Sequence, residues 1–178
     1  MTYTQTGFLS GSLGGTSFSN AAVTLRVTAD TANVQYSTLS SGLVPLWTNV
    51  GVTTIDIDGF ETATFNGSDV FGAFNEDISA FQPGFAAVGI ADLTTIRGIL
   101  GNYQTTELNY ALATEKTFTG TSAAAPATYS TTLGNLITTS ASGNATFTAA
   151  LATVPEPSAL ALLGLGTVGL IARRRRTA

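Results

Sequence analysis

The chain contains no cysteine and no histidine. Without cysteine it can form neither a disulfide nor a thiolate nucleophile, so its stability has to come from sheet pairing and core burial. Without histidine it lacks the usual general base and the commonest metal ligand. A serine hydrolase would have only Lys116 as its base, and Glu115 and Lys116 are predicted to form an exposed loop pair. The composition therefore predicts a protein that is not an enzyme and has no cofactor, with a small secreted hydrolase as the third-ranked alternative.

Basic residues are scarce in the first 153 positions, which hold Arg26, Arg97 and Lys116 against ten acidic residues. Four of the chain's seven basic residues lie together at 173–176. A strongly acidic body cannot neutralise a phosphate backbone, which excludes nucleic acid as a partner. An acidic body with a basic C-terminal end points instead toward a membrane surface.

Two segments of the body alternate between apolar and polar residues. Val23–Thr28 places apolar side chains at 23, 25 and 27, and Thr53–Asp58 repeats the pattern. A period of two predicts strands with one buried and one solvated face. Gly59 after Asp58 predicts a tight turn into a return strand at 61–65, and a second turn signal follows at 66–67. These features predict a meander.

The remaining body reads as further short strands rather than helices. Strands are predicted at Phe85–Ala91, Tyr103–Ala111, Ala127–Thr132 and Asn144–Leu151, the last with Phe147, Ala149 and Leu151 on one face. Segment 92–100 is ambiguous, because its apolar spacing suits a helix while its β-branched residues do not. The pattern predicts a mainly β body at 1–149, an antiparallel sandwich or jelly-roll-like fold, followed by a tether at 150–153.

Three carboxylates surround the predicted turn: Asp56, Asp58 and Glu61. Residues 56 and 58 on one strand face lie roughly 7 Å apart, close enough for one Ca²⁺ to contact both. Calcium needs six to eight oxygen ligands, however, and the spacing does not fit the helical calcium loop. A solvated acidic hairpin edge is the simpler interpretation. Trp47 is predicted to lie in the core, with a sugar-stacking platform as the alternative.

The C-terminal segment 154–178 has a different organisation. Pro155, Glu156 and Pro157 precede an apolar run at 158–172 and then Arg173, Arg174, Arg175 and Arg176. The run predicts a transmembrane-type helix of about 22 Å, short of a roughly 30 Å hydrocarbon core, and the arginines predict a cytoplasmic stop that leaves the body outside. Gly164–Gly169 matches the dinucleotide fingerprint in letters only, because no strand precedes it and no βαβ unit can follow. Nucleotide binding is excluded.

This ordered tail resembles the PEP-CTERM sorting signal of exported proteins from Gram-negative bacteria. The resemblance covers about 25 of 178 residues. It implies that Pro155, Glu156 and Pro157 are the motif recognised by an exosortase, a membrane-embedded transpeptidase that cuts nearby. It further implies a precursor held transiently in the inner membrane and a product released to the outer envelope or extracellular matrix.

Proteins with such a tail also carry an N-terminal secretion signal, and no basic residue precedes Arg26. The expectation is that the true start lies upstream or that the chain is a fragment. The sequence therefore predicts an exported structural or adhesive protein of the envelope or the exopolysaccharide matrix. The alternative is a carbohydrate- or calcium-binding module that uses Asp56–Glu61 and Trp47.

Overall fold

The computed structural model describes residues 1–39, 44–66, 70–77, 86–93, 97–100, 103–105, 110–121, 124 and 126–151. In this part of the chain all regular structure is β, apart from one 3-10 turn at Thr31–Asn33. The strands are β1 (Thr2–Leu13), β2 (Thr16–Thr28), β3 (Gln35–Leu39), β4 (Val44–Val50), β5 (Val52–Ile57), β6 (Ala63–Thr64), β7 (Phe71–Asp77), β8 (Ala86–Asp92), β9 (Arg97–Gly98), β10 (Tyr103–Thr105), β11 (Lys116–Thr121), β12 (Ala127–Thr131) and β13 (Gly134–Ala150).

The strands form two sheets. Sheet A has the order β11-β13-β1-β2-β5-β6, with β12 also paired to β13, and sheet B has the order β10-β8-β7-β4-β3, with β9 paired to β8. Every strand pairing is antiparallel. The prediction of a mainly antiparallel β body is therefore confirmed for the described residues.

The alternating patterns of the sequence become the two faces of sheet A. Val23, Leu25 and Val27 are 2 %, 0 % and 0 % exposed, while the intervening residues of β2 face outward. In β5, Ile55 and Ile57 are buried in the same way. The predicted turn follows, with Gly59 at a φ of 86° that an L side chain rarely adopts. Local periodicity thus identifies the buried face of each strand before its neighbours are known.

One core fills the space between the inner faces of the two sheets. Sheet A contributes Tyr3, Leu25 and Phe147, and sheet B contributes Val88 and Ile90, all fully buried. The Tyr3 and Phe147 rings stack with centroids 6.1 Å apart. Burying such side chains stabilises the fold by about 1.5–3 kcal/mol each, so the core replaces the disulfides that the chain cannot form.

Buried polar side chains connect the sheets across this core. Gln5 in β1 accepts a hydrogen bond from the backbone N–H of Ile90 in β8, at 2.7 Å. The Tyr3 hydroxyl donates to the carbonyl of Leu112, at 2.5 Å, and accepts from the Asn49 amide, at 2.8 Å. These bonds satisfy polar groups that would otherwise be costly to bury, and they fix the position of one sheet relative to the other.

A second, smaller apolar cluster lies on the opposite side of sheet B. Leu46, Phe74, Ala87 and Ala91 are each 3 % exposed or less and contact one another. Glu76 in β7 pairs directly with Leu46 and Ala87, so its carboxyl shares this apolar side of the sheet. Burial accordingly raises the pKa of the Glu76 carboxyl above its ordinary value.

Several strand predictions were wrong in extent. The return strand at 61–65 is only Ala63–Thr64, followed by an isolated bridge between Phe65 and Thr131. The next strand, β7, belongs to sheet B, so the predicted meander ends there. Of the predicted strand Tyr103–Ala111, the structure describes a strand at Tyr103–Thr105 and none at Tyr110 and Ala111, and residues 106–109 lie outside the described part. The second half of segment 92–100 contains β9 rather than a helix.

Two predictions near the end of the body, for Lys116 and Leu151, were wrong. Both corrections follow from the extent of β13, which pairs with its neighbours up to Ala150. Lys116 is not in a loop, since it begins β11 and lies opposite Ala149. Leu151 is 61 % exposed instead of sharing the buried face of Phe147, because β13 ends at Ala150 and strand alternation ends with it. The predicted helix at 158–172 lies outside the described residues. The described residues include no α-helix, so none of them forms a helix that could span a bilayer.

Candidate functional site: the threonine face of sheet A

The outward side of sheet A carries two rows of threonine that cross the strands, and we call this surface the threonine face. The register places one residue of the first row on each of six strands and one residue of the second row on each of five. The first row is Thr117, Thr148, Thr4, Arg26, Thr54 and Thr64, and the second is Thr119, Thr146, Thr6, Thr24 and Asp56. Nine of these eleven positions are threonine, so the face presents a regular pattern of hydroxyl and methyl groups.

The spacing of this pattern follows from sheet geometry. Neighbouring strands are about 4.8 Å apart, and the two rows, separated by two residues, are about 6.8 Å apart. The first row crosses six strands and therefore spans about 24 Å. Both rows lie where the register of β1 is regular, since its first irregularity falls between Thr6 and Phe8. Threonine suits this position because its β-branched side chain favours extended backbone.

One ion pair stands among the threonines. The Arg26 guanidinium donates to one carboxylate oxygen of Asp56, and the Thr62 hydroxyl donates to the other. The hydrogen bond from Thr62, followed by the hydrogen bond and the charge of Arg26, holds the pKa of the Asp56 carboxyl below its usual range. The side chains of Arg26 and Asp56 are 47 % and 35 % exposed, so solvent screens the attraction between the two charges.

This arrangement bears on the carboxylates that the sequence singled out. Asp56 is engaged by Arg26 and Thr62, while Asp58 and Glu61 have exposed side chains at the turn. Within the described ranges, no three Asp or Glu side chains are grouped so that they could hold a metal ion. The calcium alternative stays a prediction, and its first ligand candidate already has a cationic partner.

A shallow cleft adjoins the second threonine row. Its volume is about 460 Å³. Its lining residues are Thr119, Gly120, Asn144, Ala145 and Thr146. Phe8, which is 40 % exposed, lies two residues after Thr6 in β1. Gly143, at a φ of 76°, lies close beneath the Phe8 ring, where a Cβ would come within 3.4 Å of it. The cleft therefore has hydroxyl and amide groups on its walls and an aromatic ring nearby.

Trp47 lies in the other sheet. Its ring centroid is 5.0 Å from that of Tyr36, which is 60 % exposed, and Trp47 itself is partly buried against the core. The structure therefore does not bring Trp47 together with Asp56–Glu61, and the two halves of the predicted binding module are separate.

The body leads directly into the C-terminal segment. Ala150 at the end of β13 pairs with Thr2, and the backbone N–H of Leu151 donates to the Glu115 carboxylate at 3.1 Å. Residues 153–176 match the PEP-CTERM protein-sorting motif. The PEP-CTERM motif thus begins two residues beyond Leu151 and includes Pro155, Glu156 and Pro157 as well as Arg173–Arg176, all outside the described residues. No curated protein and no solved structure matches the chain.

The PEP-CTERM match confirms the resemblance drawn from the tail. Such a motif implies export, sorting at the membrane and processing by an exosortase, and it supports delivery to the cell surface or the extracellular space. The matched residues are confined to the C-terminal end, so the motif does not assign a role to the two sheets.

Sequence reasoning missed the threonine face, although a local signal was present. Threonine recurs at every second position in Thr2, Thr4 and Thr6, and again in Thr117 and Thr119 and in Thr146 and Thr148. Each pair predicts only an outward strand face. Their alignment in continuous rows depends on the strand order of the sheet. In that order β13 and β1 are neighbours, although they are the last and the first strand in the sequence.

Proposed function

We propose that this protein is a non-enzymatic structural or adhesive component of the cell envelope or extracellular matrix, sorted and cleaved at its C-terminal signal by an exosortase. The observation that carries the proposal is the PEP-CTERM match at 153–176, which begins three residues after the last strand of a body that is mainly β in its described residues. The precursor spans the inner membrane at 158–172 with the body outside, and the processed body passes to the outer envelope or matrix.

We assign the threonine face to contact with exopolysaccharide. Each threonine offers a hydroxyl that donates and accepts hydrogen bonds, together with a methyl group that packs on the apolar face of a sugar ring. The first row extends over about 24 Å, so an extended polymer would meet many equivalent contacts. Weak contacts repeated in this way produce avidity without a deep pocket. A matrix protein requires this kind of binding rather than recognition of one small ligand.

The absence of catalysis is part of the proposal. The chain lacks histidine and cysteine throughout. Asp56, the acidic residue within the two rows, is paired with Arg26 and therefore poorly suited to act as a general base. These features support a binding surface over a hydrolytic site.

The alternative is a discrete carbohydrate-binding module centred on the cleft. The exposed ring of Phe8 lies against Gly143, the residue before Asn144 in the cleft lining, and an aromatic ring near amide and hydroxyl groups is a suitable sugar platform. The two candidates differ in where substitutions act: on the threonine rows for polymer contact, or on Phe8 and Asn144 for the module.

The sorting proposal is tested by replacing Pro155, Glu156 and Pro157 with alanine in cells that make an exosortase. We expect the full-length precursor to accumulate in the membrane fraction, followed by size and by protease accessibility of the body. Pro126→Ala, a substitution at an exposed loop proline, is the matched control and should be processed normally. Normal cleavage and release of the triple variant would contradict the proposal.

A further inference from the structure

Two asparagine side chains of sheet B are fully buried, and each has an amide oxygen without a hydrogen-bond donor. They are Asn49 in β4 and Asn75 in β7. Neither Oδ1 atom has a partner among the residues that the structure describes. Burying a carbonyl oxygen without a donor is costly, and nearly all buried polar groups of native proteins are satisfied. A donor is therefore expected beside these two oxygens.

The hydrogen bonds of the two amide nitrogens determine which way each amide points. Asn75 Nδ2 donates to the Tyr110 carbonyl at 2.9 Å, and a carbonyl can only accept. Asn49 Nδ2 donates to the Tyr3 hydroxyl at 2.8 Å. That hydroxyl gives its own hydrogen to the Leu112 carbonyl at 2.5 Å, so it can only accept from Asn49. Both amide oxygens are therefore directed away from these partners.

These bonds form an arc that begins and ends on neighbouring strands. From Asn49 the arc passes through Tyr3 to the carbonyl of Leu112. From Asn75 it reaches the carbonyl of Tyr110, two residues before Leu112. Leu112 is fully buried at a φ of 56°, which an L side chain rarely adopts. Strained backbone of this kind persists only where the surrounding contacts hold it, so this segment is firmly placed.

The strand register brings the two open ends of the arc close together. In the pairing of β4 with β7, Asn49 lies opposite Ala73, two residues from Asn75. Diagonal neighbours on one face of a sheet are about 7–8 Å apart, and both side chains extend into the space between the sheets. Both open ends are acceptors, so they cannot bond each other. Only a molecule that donates a hydrogen bond to each oxygen can join them.

The bridging molecule has to be small, uncharged and able to donate twice. Water meets each condition, and with O–H···O bonds of about 2.8 Å it joins acceptors up to about 5.6 Å apart. Two to four polar partners are usual for a buried water. The arc contains no carboxylate, and Glu76, which follows Asn75, faces the other side of sheet B. A cation between the two oxygens would therefore be buried without a counter-charge, which is costly.

We infer that one internal water molecule is a fixed part of this protein and donates its two hydrogen bonds to Asn49 Oδ1 and Asn75 Oδ1. The water closes the arc into a ring that runs through Tyr3 and the segment 110–112. This ring joins sheet B to β1, and it also holds the segment that leads into β11. The inference depends neither on the sorting signal nor on polysaccharide binding, since it concerns how the body holds its two sheets together.

The test counts long-lived water molecules in the full chain, kept in solution with a mild detergent. Relaxation dispersion of water ¹⁷O detects internal waters and does not respond to protein hydroxyl groups. Asn49→Leu and Asn75→Leu each replace the amide by an apolar group of similar shape, and each should remove one water from the count. The double variant should also lose only one, because both amides hold the same molecule. Asn135→Leu, at an exposed position in β13, is the matched control and should leave the count unchanged.

Three results would overturn the inference. An unchanged count in both single variants would show that no water is held between the asparagines. A loss of two waters in the double variant would show that each amide has its own. The third result concerns a cation: sodium or ammonium chloride in place of choline chloride, at equal concentration, should leave the side-chain amide resonances of Asn49 and Asn75 unmoved. A shift of both would identify a cation as the ligand.

The wild-type chain decides the matter if circular dichroism shows that the leucine variants do not fold. A nuclear Overhauser effect between water and the side-chain amide protons of Asn75, with the sign of a long-lived contact, would support the internal water. Absence of this effect would contradict it. Asn135 again provides the control, because an exposed amide should show only the opposite sign that is typical of rapidly exchanging surface water.

Discussion

Arg26 and Asp56 form an ion pair across the boundary between β2 and β5, in the middle of a surface otherwise made of threonine. The pair places a charge of each sign where the sequence alone suggested an acidic hairpin edge. Thr62 completes the arrangement by donating its hydroxyl to the second oxygen of Asp56. The two threonine rows therefore carry no net charge, although the body is acidic and Asp58 and Glu61 are exposed at the adjacent turn.

Asp56→Asn should lower the free energy of unfolding at pH 7 by well under 1 kcal/mol, because the pair is exposed. The pKa of Asp56 is depressed in the folded state, so its stabilising contribution is complete above the unfolded pKa of about 3.9 and is lost as pH falls through the lower folded value. Urea unfolding at pH 7 and at successively lower pH measures the difference. A gap that widens on acidification would contradict this assignment.

Asp56→Asn, together with Asp58→Asn, also tests the calcium alternative. With Arg26 bound to Asp56, we expect no rise in Tm when Ca²⁺ is added to the full chain. A rise that disappears in both Asp56→Asn and Asp58→Asn would instead support a calcium site at this turn. Mg²⁺ at equal concentration controls for ionic strength.

Tyr3→Phe should destabilise the fold by about 1–3 kcal/mol, because it leaves the Leu112 carbonyl and the Asn49 amide buried without their partner. Tyr36→Phe is the matched control, since Tyr36 is 60 % exposed, and it should change stability by less than about 0.5 kcal/mol. Chemical unfolding monitored by tryptophan fluorescence compares the two. Equal effects would show that the link between the sheets contributes little.

Glu76→Gln should stabilise the protein at neutral pH. Burial raises the pKa of Glu76 in the folded state, so folding is favoured while the carboxyl is protonated, and this advantage is lost as pH rises from the unfolded value of about 4.3 through the folded one. The variant should therefore gain Tm relative to wild type at pH 7 and lose that gain near pH 4. Glu61→Gln, at an exposed position, is the control; a larger gain at pH 4 than at pH 7 would show the sign to be wrong.

Removing hydroxyls from the threonine face should weaken polysaccharide binding. Thr54→Val, Thr117→Val and Thr148→Val together preserve side-chain shape while deleting three hydroxyls, and we expect about a tenfold or greater loss of affinity. Co-sedimentation with insoluble cellulose and with the host's own extracellular polysaccharide provides the measurement. Exposed threonines outside the two rows, combined as Thr16→Val, Thr38→Val and Thr128→Val, form the matched control.

Two outcomes of the co-sedimentation experiment would contradict the assignment of polysaccharide binding to the threonine face. Equal binding by the face variant and the control variant would remove the threonine face from the proposal. Loss of binding in Phe8→Ala or Asn144→Ala with the face variant unaffected would favour a discrete module at the cleft.

Some of the body could be predicted residue by residue because strand periodicity is local. Val23, Leu25 and Val27 show their buried face in six consecutive positions, and the turn at Gly59 requires only the two residues that form it. The extent of the return strand at 61–65 could not be predicted in this way. Phe65 forms an isolated bridge with Thr131, and the next strand, β7, joins the other sheet; both depend on contacts between residues that are far apart in the chain.

The candidate functional residues also differ in whether they could be predicted from local sequence. The sorting motif was identified from sequence because its recognition depends on the order of residues within one short segment, and the family match covers those same positions. The threonine face was not identified, because Thr4 and Thr148 become neighbours only through the pairing of the first and last strands.

By itself, the sequence determined the absence of disulfides and of histidine chemistry, the acidic body, the inward face of β2 and the C-terminal sorting signal. Each depends on residue type or on short-range order. Only the tertiary structure decided that Arg26 pairs with Asp56 and that threonines from six strands align. These relationships depend on strand order and register, which are set by contacts between residues far apart in the chain.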